Sequence, residues 1–172
     1  VWRGHADLVI GGRSAGRLAW RLAPVTILQG ALGYHLALTG PGQDLLAALA
    51  IRPTRMGMTV DGAADSAFVN QWLGAYDIIL SGRLTFEAVH LEVPYAWPAA
   101  APDLPVPGRA GGILRWTGGP VRYQLAQQTY QGTLPPLEAL FGDALQAVVF
   151  ATGDQTPLLQ LDLLSSGFIR IG

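Results

Sequence analysis

Apolar and polar residues alternate with a period of two along most of this chain, and turn residues punctuate the alternation. Leu8 and Ile10 run into Gly11-Gly12, a tight-turn signal. Gly16, Leu18, Trp20 and Leu22 then share one face while Arg17, Ala19 and Arg21 take the other, until Pro24 ends the strand. After Gly30 the pattern repeats in Leu32, Tyr34, Leu36 and Leu38, up to Thr39-Gly40-Pro41-Gly42. Met56, Met58 and Val60 alternate with Arg55, Gly57 and Thr59 as far as Asp61-Gly62. Short turns join only antiparallel neighbours, so the pattern predicts a meander of hairpins.

Other stretches read differently. Gln43–Ala50 is compatible with a short helical turn or with the lead-in to a strand. Phe68, Val69, Trp72 and Leu73 recur at helical spacing behind Asp65 or Ser66 as a cap, with Gly74 as the stop. Asp77–Val93 carries the longest strand signal. Its apolar set changes parity beyond Ala88, which predicts a bulge there that bends the strand and curls the sheet. Residues 94–107, PYAWPAAAPDLPVP, form a proline-rich connector poor in backbone donors. Strands are expected at Gly112–Trp116 and, after the Gly118-Gly119-Pro120 turn, at Val121–Leu125. Pro135-Pro136 suits the first turn of a short helix through Leu137, Leu140 and Phe141, closed by Gly142. Leu145–Ala151, Leu158–Leu164 and Phe168–Ile171 read as the last strands. The expected fold is mainly β: a curved antiparallel sheet, an open or partly closed roll, with one or two short helices packed on it. It is expected to be a single domain over 1–172, divisible into halves 1–93 and 108–172 around the connector.

Composition narrows the function classes. Half of the 172 residues are hydrophobic and 13% are charged, which allows a sizeable core and excludes disorder. The net charge is −1 and all eleven basic groups are Arg, scattered rather than clustered, so a nucleic-acid partner is not expected. The absence of cysteine removes disulfides, thiolate metal sites and thiol nucleophiles. No apolar run approaches the roughly 20 residues that span a bilayer. The chain begins at Val1, inside what reads as a strand, and is expected to belong to a longer protein whose signal or anchor precedes it.

A search for chemistry turns up little. Gly12-Arg13-Ser14-Ala15-Gly16 matches the G-x-S-x-G nucleophile elbow, but the elbow needs a helix after it and Arg17–Leu22 alternates as a strand. His5, His35 and His90 lack any metal-ligand spacing and are expected on solvated strand faces. Asp61, Asp65 and Asp77 are explained by turns and a helix cap. Gly11-Gly12 does not open a dinucleotide fingerprint. Neither a cofactor nor a metal is implied.

The tryptophans say more. Trp20 and Trp116 read as core anchors, and Trp72 as the residue that docks the helix on the sheet. Trp97 in the connector, with Tyr95 beside it, and Trp2 at the chain's edge are the candidate partner-binding residues; for Trp97 the alternative is that the connector folds back and the indole plugs the core. A sheet this apolar also offers a groove for acyl chains if one face stays open. One small pattern recurs: Gly-x-Leu-x-aromatic at Gly16–Trp20, Gly82–Phe86 and Gly112–Trp116, either repeated units of one sheet or three ordinary strands.

Those residues carry a resemblance. Val1-Trp2-Arg3-Gly4-His5-Ala6, then Gly16–Pro24, then Ile27-Leu28-Gln29-Gly30 resemble the type II secretion system protein N family (GspN), whose periplasmic region runs W-x-G-x-A, a strand ending in W-x-L-x-P, then L-x-G and another strand. Ser81-Gly82-Arg83-Leu84, Gly112–Trp116, Leu134-Pro135-Pro136-Leu137 and Ser166-Gly167-Phe168 are similar in order and spacing, so the likeness spans nearly the whole chain. The same W-x-G and strand logic occurs in AsmA-like envelope proteins. The resemblance implies a periplasmic domain tethered to the inner membrane by a missing N-terminal helix. It implies no catalytic residues. Its partners would be the inner-membrane platform proteins and the outer-membrane secretin of the secretion machine; the AsmA-like relation would add lipid.

Overall fold

The computed structural model describes residues 2–10, 13–74, 77–94, 108–125, 128–143, 146–154, 156–163 and 169–171. The fold is mainly β, antiparallel throughout, with two short helices, and its large sheet does not close into a barrel. The first half supplies β1 (Arg3–Ile10), β2 (Arg13–Ala23), α1 (Pro24–Leu28), β3 (Leu32–Gly40), β4 (Gln43–Ile51), β5 (Arg55–Asp65), α2 (Ser66–Leu73), β6 (Ile78–Leu80) and β7 (Arg83–Pro94). The second supplies β8 (Arg109–Trp116), β9 (Gly119–Leu125), β10 (Gln128–Leu134), β11 (Leu137–Gly142), β12 (Gln146–Ala151), β13 (Pro157–Leu163) and β14 (Ile169–Ile171). Eleven strands pair in the order β1-β2-β3-β4-β5-β7-β8-β11-β12-β13-β14, and β10-β9-β6 form a second, small sheet. The pairing of β7 with β8 joins the two halves of the chain into one sheet.

Several expected hairpins are present, one reading left open is decided, and three are corrected. Gln43–Ile51 is a strand, because β3 and β5 pair with it on either side. Asp61-Gly62 is no turn: β5 continues through it to Asp65, with a register shift between Val60 and Gly62. The long Asp77–Val93 signal divides at Ser81-Gly82, where the chain leaves the small sheet for the large one. The helix expected at Leu137–Phe141 is strand β11. Its i, i+3, i+4 apolar spacing is outweighed by β8 and β12, which bond both of its edges and leave Leu137, Ala139 and Phe141 on one face and Glu138 on the other. Two elements have no counterpart in the sequence reading: α1, which starts at Pro24, and β10.

The large sheet has two unlike faces. Registered pairs place apolar side chains in rows that cross the strands. One row runs from Leu18 through Leu38, Leu45, Phe86 and Leu114 to Leu159 on β13, a track about 40 Å long at roughly 4.8 Å per strand. The opposite face carries ion pairs between neighbouring strands: Asp7–Arg17, Asp65–Arg83 (2.7 Å), Glu92–Arg55 (2.8 Å), and Arg115 with both Glu87 and Glu138.

The two packed clusters of the core sit at one end of the apolar face. There α2 lays Phe68 on Ala15 and Ala64, and Leu84, Trp116 and Val121 pack with Leu80 from the small sheet. Asn70 and Trp116 tie these layers together. The Asn70 amide donates to the Leu80 carbonyl (2.8 Å) and accepts from the Leu80 N–H (2.9 Å), while Trp116 Nε1–H donates to the Ser81 carbonyl (2.8 Å).

The repeated Gly-x-Leu-x-aromatic pattern acquires a common geometry. Gly16, Gly82 and Gly112 all have φ close to +100°, and at each a Cβ would run into a backbone carbonyl of neighbouring chain, from Thr39, Gly118 and Ala88 respectively. At Gly16 the register shift between Leu8 and Val9 leaves Ala15 bulged. Its carbonyl is met by the Gln43 side-chain amide, reaching from two strands away across Gly40, and Gln43 is buried. The expected bulge at Ala88 is present: Ala88 has φ 47°, its N–H donates to Asp61 Oδ1 (2.7 Å), and the β7–β8 register shifts between Glu87 and His90.

Candidate functional site

Three surfaces have the character of sites: the open end of the apolar face, the polar face between α1 and β7, and the free sheet edges. At the open end, the row Leu22–Tyr34–Leu49–Met58–Leu91–Ala110 crosses six strands of the sheet beyond the reach of α2 and the small sheet. Leu22 and Ala110 at the two ends of the row are buried, Tyr34 and Leu49 between them are half-buried, and Met58 (40%) and Leu91 (42%) are exposed. The adjoining row Trp20–Leu36–Ala47–Val60–Val89 is half-buried throughout. Trp20 lies across Gly4, the glycine of the W-x-G motif: a Cβ there would meet the indole at 2.5 Å. Such a face, part-exposed and free of charged side chains along these rows, suits an extended apolar ligand or partner.

The polar face has a groove of about 290 Å³ whose floor is Gly33, Ala50 and Gly57 and whose walls include Thr26, His35, Thr59, His90 and Glu92. The Thr26 side chain of α1 rests over Gly33, and the His90 ring rests over Gly111. A neighbouring hollow of about 320 Å³ shares His35, Ala48 and Thr59 and adds Arg21 and Asp61. His35 and His90 belong to strands three places apart, about 14 Å, too far to share one ligand atom. Among the described residues no three His, Cys, Asp or Glu side chains converge as a metal site.

The sequence candidates fall as follows. Trp2 is 70% exposed, its carbonyl accepting from Leu22 N–H (2.7 Å) at the outer edge of the large sheet. Tyr95 and Trp97 lie outside the described residues, as does the side chain of Trp72. Trp116 is buried and Trp20 half-buried. Ser14 sits within β2, in a β-hairpin opposite Val9, rather than at a strand-to-helix elbow. His5, His35 and His90 are exposed on strands. Asp65 pairs with Arg83, and Asp61 holds the Ala88 bulge rather than making a turn. No helix among the described residues is long and apolar enough to cross a membrane.

Sequence reasoning missed β10 and the α1 wall of the polar groove. The signal for β10 was the two-residue interval after Leu125, a hairpin length, followed by Thr and Tyr. No family model matches the chain, and neither a curated protein nor a solved structure matches it.

Proposed function

We propose that this chain is a non-enzymatic periplasmic component of the bacterial type II secretion system, acting through protein–protein contacts in the assembly of the export machine. The observation that carries the reading is the order and spacing of the W-x-G-x-A, W-x-L-x-P and L-x-G motifs and of the later Gly-Leu segments along nearly the whole chain. It is supported by an open antiparallel sheet whose edges can pair with another chain. The protein would be tethered to the inner membrane, with the platform proteins and the secretin as partners. The test is a pull-down against these proteins together with a deletion strain. Capture of one of them and impaired secretion are expected; no capture with normal secretion overturns the reading.

A second reading, an AsmA-like module that handles lipid, is favoured by one observation: the Tyr34–Leu49–Met58–Leu91 end of the apolar face is left uncovered. It predicts that the purified domain carries phospholipid or binds a fluorescent fatty acid, and that Leu91→Glu with Met58→Glu abolishes the binding while the fold is kept. Binding unchanged in the double variant, or none in the parent, removes it.

A further inference from the structure

Among the described residues four strands border the two sheets, and they are protected unequally. β1 carries Arg3, His5 and Asp7, and charges discourage edge pairing. β14 and β6 are three residues each, and the outward N–H and C=O of Leu80 on β6 are both taken by Asn70. β10 has none of these devices. It is seven residues long, QTYQGTL, without a charge, a proline or a register shift, and every residue in it is exposed.

The direction of its free groups follows from the ladder. Leu80 turns its backbone groups away from β9, and Ser81 N–H donates to the Pro120 carbonyl, so Pro120 and Arg122 face β6 while Val121 and Tyr123 face β10. Tyr130 and Gly132, opposite Tyr123 and Val121, therefore bond β9, and Thr129, Gln131 and Thr133 present their N–H and C=O groups outward. These three residues are symmetric about Gln131.

We propose that β10 pairs antiparallel with β10 of a second copy of this chain, about a two-fold axis at Gln131. In that register Gln131 faces Gln131, Thr129 faces Thr133, and Tyr130 faces Gly132 in both directions. Every outward N–H and C=O of the three residues then meets its complement. Gly132 has nothing within 4 Å of the place a Cβ would take, and this is the space the incoming Tyr130 ring fills. The ring is already set by stacking on Tyr123, with centroids 5.3 Å apart and planes at 15°. Arg122, the nearest like charge, sits opposite Gln131, so the Cα atoms of the two Arg122 residues lie about 14 Å apart across the axis, beyond the screening length of about 8 Å. The small sheets would join as β6-β9-β10-β10-β9-β6, independently of any ligand on the apolar face.

The chain has no cysteine, so a single introduced thiol reports one position. Gln131→Cys places two thiols on Cα atoms about 5.5 Å apart, within disulfide range. Gln128→Cys and Leu134→Cys place theirs about 20 Å apart across the axis, at roughly 3.4 Å per residue. Under mild oxidation Gln131→Cys is expected to form a disulfide dimer in high yield and the other two are not. In sedimentation without oxidant the parent is expected to show a concentration-dependent dimer, and Gln131→Lys to weaken it by about tenfold or more with an unchanged circular dichroism spectrum. A parent that stays monomeric at its highest soluble concentration, equal cross-linking at all three positions, or a Gln131→Lys variant that dimerises like the parent would each overturn the proposal.

Discussion

The two ends of the apolar face are built from the same residues and meet different fates. At the capped end, Leu84, Trp116 and Ala64 are buried beneath α2 and the small sheet. At the open end, Met58 and Leu91 occupy the same alternating positions on β5 and β7 and stay exposed. Strand alternation assigns a side chain to a face but does not decide whether that face is dry. The drying comes from elements that are far away along the chain or lie between strands, Phe68 on α2 and Val121 on β9 among them. The capped end is therefore where stability resides, and the open end keeps apolar side chains in contact with solvent.

Truncation sharpens that comparison most. Trp116→Ala removes a buried ring and its hydrogen bond to Ser81, and is expected to cost about 3–5 kcal/mol in urea unfolding. Leu91→Ala, at the open end, is expected to cost less than about 1 kcal/mol. Equal costs would break the distinction between the two ends. Gln43→Ala strands the Ala15 carbonyl at the capped end and is expected to lose about 1–3 kcal/mol, read by the same titration. At the bulge between the two ends, Ala88→Gly relieves a left-handed residue and is expected to raise stability by about 1 kcal/mol. Asp61→Ala, which removes the acceptor of the Ala88 N–H, is expected to lower it by about 1 kcal/mol. Least is expected from Arg115→Ala. Its pairs with Glu87 and Glu138 are part-exposed, so a change of about 1 kcal/mol or less, shrinking with added salt, should be seen in thermal unfolding.

Local patterns made much of this fold legible. Alternation located β2, β3 and β5, and helical spacing located α2. The parity change at Ala88 revealed its bulge, because a side chain that switches face must be accommodated by an extra residue. Where one segment fitted two periods, neighbours decided. Leu137, Leu140 and Phe141 suit a helix, yet β8 and β12 offer their backbone a partner on each side. β10 escaped notice because it buries neither face, so nothing in its Gln, Thr and Tyr residues had to alternate.

What the sequence by itself determined is which face each strand residue takes, since that parity is a property of the extended backbone. The glycines of the repeated motif belong here too, for only glycine holds φ near +100° without strain. What only the tertiary structure decided is which end of the apolar face is covered and which edge is unguarded. Both depend on where α2, Asn70 and the small sheet come to rest, and that is set by packing between segments distant in the chain.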